Sequence, residues 1–164
     1  MKQITVSIFL ILISATNQAQ SPAEKEAVMM PVKTLFEGMQ KGDSALVRNS
    51  FSKTVTMATI GKDKNGNPFI QHESSINDFL RIIGTPHNEV YNEMIWDEKN
   101  FIDGNFAQVW TDYAFYLGKK FSHCGVDAFH LVKNSSGDWK IFHLADTRQK
   151  EGCNVPSKIS KQFE

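Results

Sequence analysis

Residues 106–133 read FAQVWTDYAFYLGKKFSHCGVDAFHLVK, two runs rich in β-branched and aromatic residues on either side of Gly-Lys-Lys at residues 118–120. Similar runs precede and follow them, and the connecting segments are short and rich in turn-forming residues. Connections this short join antiparallel neighbours, so we predict a consecutive meander. Its four strands are residues 90–97, 106–117, 121–133 and 139–147.

Upstream of the meander, apolar residues recur at helical spacing. Residues 24–41 carry such a stripe, which consists of Val28, Met29, Val32, Leu35, Phe36 and Met39. Pro31 offers a second start for the regular part of this helix, because proline is tolerated in a first turn. Gly42 is suited to end the helix, and Asp43 to cap a second, short helix at residues 44–51.

The segment between these helices and the meander predicts a hairpin and a third helix. Residues 54–60 are rich in β-branched residues, and the chain returns through the Asn65-Gly66 turn into residues 69–72. Ser75 then precedes a third amphipathic helix. Helices grouped on one side of an antiparallel sheet define an α+β fold. We expect a cone-shaped barrel, in which a curved antiparallel sheet wraps around the N-terminal helices and leaves one end open for a ligand.

Alternation along the strands decides which side chains of the meander share a face. With residues 118–120 as the turn, Phe115 pairs with His123 and Tyr113 with Gly125. One face of the sheet then carries Val109, Thr111, Tyr113, Phe115, His123, Asp127, Phe129 and Leu131. Trp139, Ile141 and His143 lie on the same face if the odd positions of the last strand point the same way. A few polar groups in an apolar hollow are typical of a small-molecule site. The predicted ligand-binding residues are Thr111, Tyr113, Phe115, Phe129, Trp139 and Arg148.

Three residues of this face are candidates for acid–base chemistry. His123 and Asp127 are four residues apart on one strand, about 13 Å, so they cannot share a proton. Asp127 with His143 on the neighbouring strand is the better pair, with a carboxylate orienting an imidazole that titrates near neutral pH. The alternative is a structural polar pair without catalysis.

The opposite face carries Trp110, Asp112, Tyr116, Cys124 and His130, a mixture typical of a surface partly covered by a helix or by a second subunit. Two residues near the expected rim are open to two interpretations. Arg148 either clamps an anionic ligand or pairs with Asp146 in solvent. His72 lies where the mouth would be, or is simply exposed.

Composition excludes several classes of protein. The 164 residues include 18 basic and 18 acidic side chains, so the formal net charge is 0, and no basic run suggests a nucleic-acid partner. Twelve Phe and three Trp argue against disorder and for one sizeable core. No phosphate-binding, dinucleotide, nucleophile-elbow or zinc-protease motif is present, so we predict no cofactor and no metal.

The N-terminus predicts export. Met1 and Lys2 precede an apolar run, residues 4–13, and a small and polar stretch that ends at Ala19. This is the pattern of a signal peptide, residues 1–19, and the run is too short to anchor the chain in a membrane. We expect a periplasmic or secreted protein with one domain, residues 20–153, and a loosely attached polar tail, residues 154–164.

Two cysteines remain in the mature chain, Cys124 and Cys153. An oxidising compartment permits one disulfide between them, which would stabilise the fold by on the order of 3 kcal/mol. The alternative is a pair of unrelated small residues.

The residues resemble a known group of proteins. Three parts of the sequence are similar to the nuclear transport factor 2-like superfamily. They are the helix that ends at Gly42-Asp43, the strand Ala107-x-Val109-x-x-x-Tyr113-x-Phe115, and the stretch His123-Cys124-Gly125-x-Asp127-x-Phe129-x-Leu131 followed by Gly137-Asp138-Trp139-Lys140-Ile141. The likeness covers about residues 24–150, and it is closest to exported bacterial members described as SnoaL-like or lumazine-binding.

The resemblance implies a cone with a hydrophobic cavity and a homodimer formed through the sheet. The superfamily includes ketosteroid isomerases, polyketide cyclases and dehydratases, as well as members that only bind or scaffold. In isomerase-type members a carboxylate base and acidic hydrogen-bond donors lie in the cavity, and here the resemblance implies Asp127 and Tyr113 for these positions.

Three functions therefore remain open. The first is an exported protein that binds a small apolar or aromatic molecule, without nucleic acid or a membrane anchor. The second is an isomerase, cyclase or dehydratase that uses Asp127 with His143 or His123. The third is a dimeric interaction module whose cavity is filled by its own side chains.

Overall fold

The computed structural model describes residues 21–73 and 75–164. The predicted signal peptide, residues 1–19, lies outside the described residues. The elements of the described chain, in order, are α1 (Pro22–Lys41), α2 (Ser44–Ser50), β1 (Phe51–Lys62), β2 (Pro68–His72), α3 (Ile76–Gly84), β3 (Tyr91–Asp103), β4 (Phe106–Leu117), β5 (Lys120–Lys133), β6 (Trp139–Thr147) and α4 (Ser157–Ser160).

Helix α1 is one continuous helix that includes Pro31 in its interior. The Ser21 side chain accepts a hydrogen bond from the Glu24 backbone N–H at its start, and Gly42 ends it in the left-handed region at φ 67°. The helix therefore does not begin at Pro31. An interior proline costs about 3 kcal/mol in helix propensity, which the burial of residues on both sides of it offsets, Val28 before and Val32 after.

The strands form one six-stranded sheet in the order β2-β1-β6-β5-β4-β3. The sheet is curled but not closed, and the α+β class is confirmed. It is mixed and not purely antiparallel, because β1 pairs with β6 in parallel. No tight turn constrains their relative direction, since β2, α3, β3, β4 and β5 lie between these two strands in the sequence.

The predicted pairing of β4 with β5 is confirmed over most of its length. Phe115 lies opposite His123, Tyr113 opposite Gly125, and Thr111 opposite Asp127. The turn itself is shorter than predicted: it consists of residues 118 and 119, because Leu117 pairs with Lys120, and the register shifts next to the turn. The shift absorbs one residue, so the alternation predicted beyond His123 is preserved.

The core lies between α1 and the concave face of the sheet. Val28, Val32 and Leu35 on α1 are almost fully buried against that face. The ring of Phe36 meets the ring of Phe129 edge to face, with centroids 6.0 Å apart. The core fills one end of the concave surface, and the other end stays hollow.

The C-terminal segment is packed on the convex face of the sheet, contrary to the expectation of a loosely attached tail. Ile159 is buried, and the Phe163 ring stacks on Tyr116 with centroids 3.9 Å apart. Of the two alternatives for the cysteines, the disulfide is present: Cys124 and Cys153 are joined, with Cα atoms 6.0 Å apart. This cross-link brings the chain back across β5, so the apolar residues of the tail find a partner surface.

Only part of the convex face is covered in this way. Phe106, Trp110 and Val132 keep 37% or more of their surface exposed. In the part of the chain that the structure describes, no helix is long and apolar enough to span a bilayer.

Candidate functional site

A cavity of about 320 Å³ opens between α1, α3 and the concave face of the sheet. Its walls are mainly apolar, and one end is polar. The lining residues are Leu35, Phe36, Met39, Glu73, Phe79, Ile82, Ile83, Tyr91, Glu93, Tyr113, Phe115, Leu117, His123, Asp127, Leu144, Asp146 and Arg148. A cavity of this size can enclose a small organic molecule.

Two carboxyl groups meet at the polar end. Glu93 is on β3, opposite Phe115 of β4, and Asp127 is on β5, opposite Thr111 of the same strand. Their side chains meet, and the carboxyl group of Asp127 donates a hydrogen bond to that of Glu93. A hydrogen bond between two carboxyl groups needs a proton on one of them. Glu93 and Asp127 therefore hold a proton between them.

The pKa of each carboxyl group supports this protonation. Burial, together with the negative charge of Asp146, raises the pKa of Glu93 from 4.5 to about 7, although the hydrogen bond from Asp127 lowers it in part. Burial raises the pKa of Asp127 well above 3.8, and the charges of Glu93 and Asp146 add to the effect. Asp127 is only 2% exposed. Glu93 thus titrates near neutral pH, and the pKa of its neighbour Asp127 is raised as well.

A third carboxylate, Asp146 on β6, is held by three donors. The Thr59 hydroxyl donates to Oδ1 at 2.6 Å, and Nε of Arg148 donates to Oδ2 at 2.6 Å. The Tyr113 hydroxyl, whose one proton is shared with the Thr147 carbonyl oxygen, also reaches Oδ2, at 3.2 Å. Asp146 is thus paired with Arg148 at the rim, and both residues line the cavity.

Tyr113 and His123 complete the polar end. The Tyr113 hydroxyl donates to the Thr147 carbonyl oxygen at 2.9 Å, and burial with the neighbouring carboxylates raises its pKa. Burial, then the charge of Arg148, lowers the pKa of His123 to about 4. The imidazole is therefore neutral at physiological pH, and it lies against the rings of Tyr113 and Phe115.

Solved structures identify the architecture around this cavity. A nuclear transport factor 2-like protein of unknown function from Shewanella baltica matches at a TM-score of 0.56, with 19% identity over 79% of this chain and 96% of its own. This chain has the nuclear transport factor 2-like fold. In comparisons with protein-family profiles and with curated proteins, nothing matches the chain.

Other structures with the nuclear transport factor 2-like architecture are described by candidate activities. A candidate ketosteroid isomerase from Shewanella frigidimarina matches at a TM-score of 0.54, with 18% identity over 73% of this chain and 94% of its own. A candidate scytalone dehydratase from Novosphingobium aromaticivorans matches at 0.60, with 13% identity over 78% and 85%. At these identities the likeness shows the fold alone.

Within the nuclear transport factor 2-like domain, His143 does not meet Asp127. The register of β5 and β6 shifts between the pairs Leu131–Ile141 and His130–His143, so residue 142 is an extra residue in β6. The predicted alternation holds for Trp139 and Ile141 and fails at His143. His143 instead lies near the His130 ring and contacts the Thr56 hydroxyl at 2.7 Å through Nδ1.

The other predicted residues separate into two groups. Tyr113, Phe115, His123, Asp127 and Arg148 line the cavity of this nuclear transport factor 2-like domain. Thr111, Phe129 and Trp139 do not. Thr111 is buried and donates to the Trp96 carbonyl oxygen, Phe129 is part of the core, and Trp139 donates through its indole N–H to Glu24. His72, expected at the mouth, is exposed.

Three cavity carboxyl groups were missed, Glu73, Glu93 and the inward side chain of Asp146. The register of β3 against β4 shifts between Trp96 and Lys99, and this shift places Glu93 opposite Phe115. If the register at the Asp103 end continued without the shift, Glu93 would lie opposite Tyr116, on the convex face. The bulge at residue 142 turns Asp146 inward in the same way. Positive φ at Asp97, 56°, marks the first bulge.

Among the described residues, no cluster of His, Cys, Asp and Glu is arranged to hold a metal ion.

Proposed function

We propose that the mature protein binds a small, mostly apolar organic molecule in the cone. The observation that carries this proposal is the cavity of about 320 Å³, in which apolar walls lead to the buried Glu93–Asp127 pair. An open cavity of this size does not favour the third function, an interaction module with a filled interior.

The energetic cost of the site supports a functional role. Burying two adjacent carboxyl groups disfavours their charged forms, and no hydrogen-bond donor of the described chain reaches the buried Oδ2 of Asp127. Strongly perturbed carboxyl groups that line a cleft are typical of binding and active sites. The apolar walls supply affinity and the polar end fixes orientation.

Filling the cavity should abolish binding of an apolar probe. We expect N-phenyl-1-naphthylamine, a neutral fluorescent molecule, to bind the wild type, and Leu144→Trp to weaken that binding at least about tenfold because the indole occupies the cavity. The matched control is Val132→Trp on the exposed convex face. Fluorescence titration measures the dissociation constants, and circular dichroism checks that each variant is folded. Equal binding by both tryptophan variants would place the probe elsewhere.

An acid–base enzyme is a second candidate, and the shared proton of Glu93 and Asp127 favours it. With one carboxyl protonated and the other charged, the pair can accept a proton from a substrate and return one. The candidate isomerase and dehydratase among the structural neighbours make such chemistry a reasonable test. A substrate found by screening ketones in deuterium oxide should lose turnover with Asp127→Asn and keep binding. Unchanged exchange would remove Asp127 from the chemistry.

Export and self-association belong to the same proposal. The pattern at residues 1–19 and the disulfide between Cys124 and Cys153 support a periplasmic or secreted location. The exposed aromatic residues Phe106 and Trp110 on the convex face support a homodimer. The N-terminal sequence of the exported protein checks cleavage after Ala19, and sedimentation at micromolar concentration checks the dimer.

A further inference from the structure

The cavity has an excess of acidic groups. Four carboxyl side chains line it, Glu73, Glu93, Asp127 and Asp146. Among the described lining residues the basic side chains are Arg148 and His123, and the second is neutral above about pH 4. Because Arg148 is already paired with Asp146, no basic group of the lining is left for the other three carboxyl groups.

The most buried of these carboxyl groups has one oxygen atom that lacks a donor. Asp127 is 2% exposed, lines the cavity, and has an Oδ2 atom that no donor of the described chain reaches. Its side-chain contact is the carboxyl group of Glu93, which is itself an acceptor when charged. A bound molecule that brings its own donor and a positive charge would satisfy both groups.

The remaining walls suit the same kind of molecule. Aromatic rings of Phe36, Phe79, Tyr91 and Phe115 line the cavity, and their faces carry negative electrostatic potential. Cations are attracted to such faces, most strongly where water is excluded. Helices α1 and α3 contribute only apolar side chains to the described lining, so they add no competing positive charge.

We propose that the ligand is an organic cation, an apolar or aromatic body with a protonated amine that reaches the carboxyl groups of Glu93 and Asp127. This inference rests on the proposed function, since it requires the cavity to be a binding site. The amine donates to the unpartnered carboxyl oxygen, the body lies along the aromatic walls, and the paired Asp146 and Arg148 remain at the rim.

Proton exchange accompanies binding. The free pair holds a proton, and the ammonium group replaces it, so binding releases a proton wherever the pair is still protonated. The pKa of Glu93, about 7, sets the pH at which this release becomes costly. The titratable and charged groups that line the cavity around the pair are Asp146 on β6, Arg148 just after β6, Tyr113 on β4, His123 on β5, and Glu73 and Tyr91. Of these, His123 and Tyr113 keep their neutral forms between pH 5.5 and 7.5.

The test compares three probes of one shape: 2-naphthylmethylamine, 2-naphthylmethanol and 2-naphthoic acid. Calorimetry at about pH 7.5 should show the amine binding at least about tenfold more tightly than the alcohol, with the acid weakest. At about pH 5.5 the advantage of the amine should fall about tenfold or more, because the pair must then give up a proton. The alcohol should bind equally at both values.

Variants locate the effect. Asp127→Asn should remove most of the preference for the amine, whereas Asp112→Asn, on the neighbouring strand and outside this cavity, should keep it. Equal affinity of wild type for amine and alcohol would overturn the cation inference and leave the binding function intact. Failure of all three naphthyl probes, together with failure of the neutral fluorescent probe, would overturn both.

Discussion

Gly125→Ala is expected to destabilise the protein by about 3 kcal/mol or more, enough to prevent folding in a domain of ordinary stability. A Cβ atom at residue 125 would lie 1.8 Å from the carbonyl oxygen of Thr147, which is a backbone atom and cannot rotate away. The same oxygen accepts the hydrogen bond from the Tyr113 hydroxyl. The substitution would therefore push β6 away from β5 at the point where the polar end of the cavity is built.

Urea unfolding followed by circular dichroism measures this loss. Gly137→Ala is the matched control, because its φ of 88° strains an alanine but nothing lies within 4 Å of the added methyl group. We expect it to cost about 1–2 kcal/mol. If the two alanine variants lose the same stability, the absence of a side chain at Gly125 is not what allows β6 to approach β5.

The Glu93–Asp127 pair should make the protein less stable as pH rises. Burial raises the pKa of Glu93 from 4.5 to about 7, so between these values the folded protein binds more protons than the unfolded chain. Stability that is present below about pH 4.5 is then lost as pH rises to 7, by on the order of 3 kcal/mol. We expect the double variant Glu93→Gln, Asp127→Asn to gain at least this much relative to wild type between pH 4.5 and 8.

His123 provides a contrast of opposite sign. Its pKa falls to about 4 in the folded protein, so its contribution is present above its ordinary value of 6.5 and is lost as pH falls toward 4. His123→Gln should therefore gain stability relative to wild type on acidification. Unfolding curves of each variant at a series of pH values separate the two effects. A double variant that follows the pH dependence of wild type would show that the carboxyl pair is charged in the folded protein.

Local patterns were sufficient for most of the elements. The predicted strands at residues 106–117 and 139–147 match β4 and β6 at both ends. The capping residues Asp43 and Ser75 accept hydrogen bonds from the first turns of α2 and α3. These features depend on neighbours in the sequence, where side-chain chemistry and backbone conformation are directly linked.

The C-terminal segment shows where local patterns fail. Residues 154–164 carry few apolar side chains, so they read as an unpacked tail. The disulfide at Cys153 holds their start against β5, which lets Ile159 and Phe163 pack on the convex face. A contact between distant parts of the chain supplied the surface that the composition of the segment did not reveal.

The residues of the candidate site were likewise predictable from the sequence only in part. Alternation along β4 and β5, which form a regular ladder beyond their turn, was enough to bring Tyr113, Phe115, His123 and Asp127 to one face from the sequence alone. The partners of Asp127 depended on two bulges, one in β3 and one in β6. One extra residue reverses the face of every side chain beyond it, and a bulge is chosen by the curvature of the whole sheet. For that reason the sequence determined the walls of the cavity, whereas only the tertiary structure placed Glu93 and Asp146 beside Asp127 and turned His143 away.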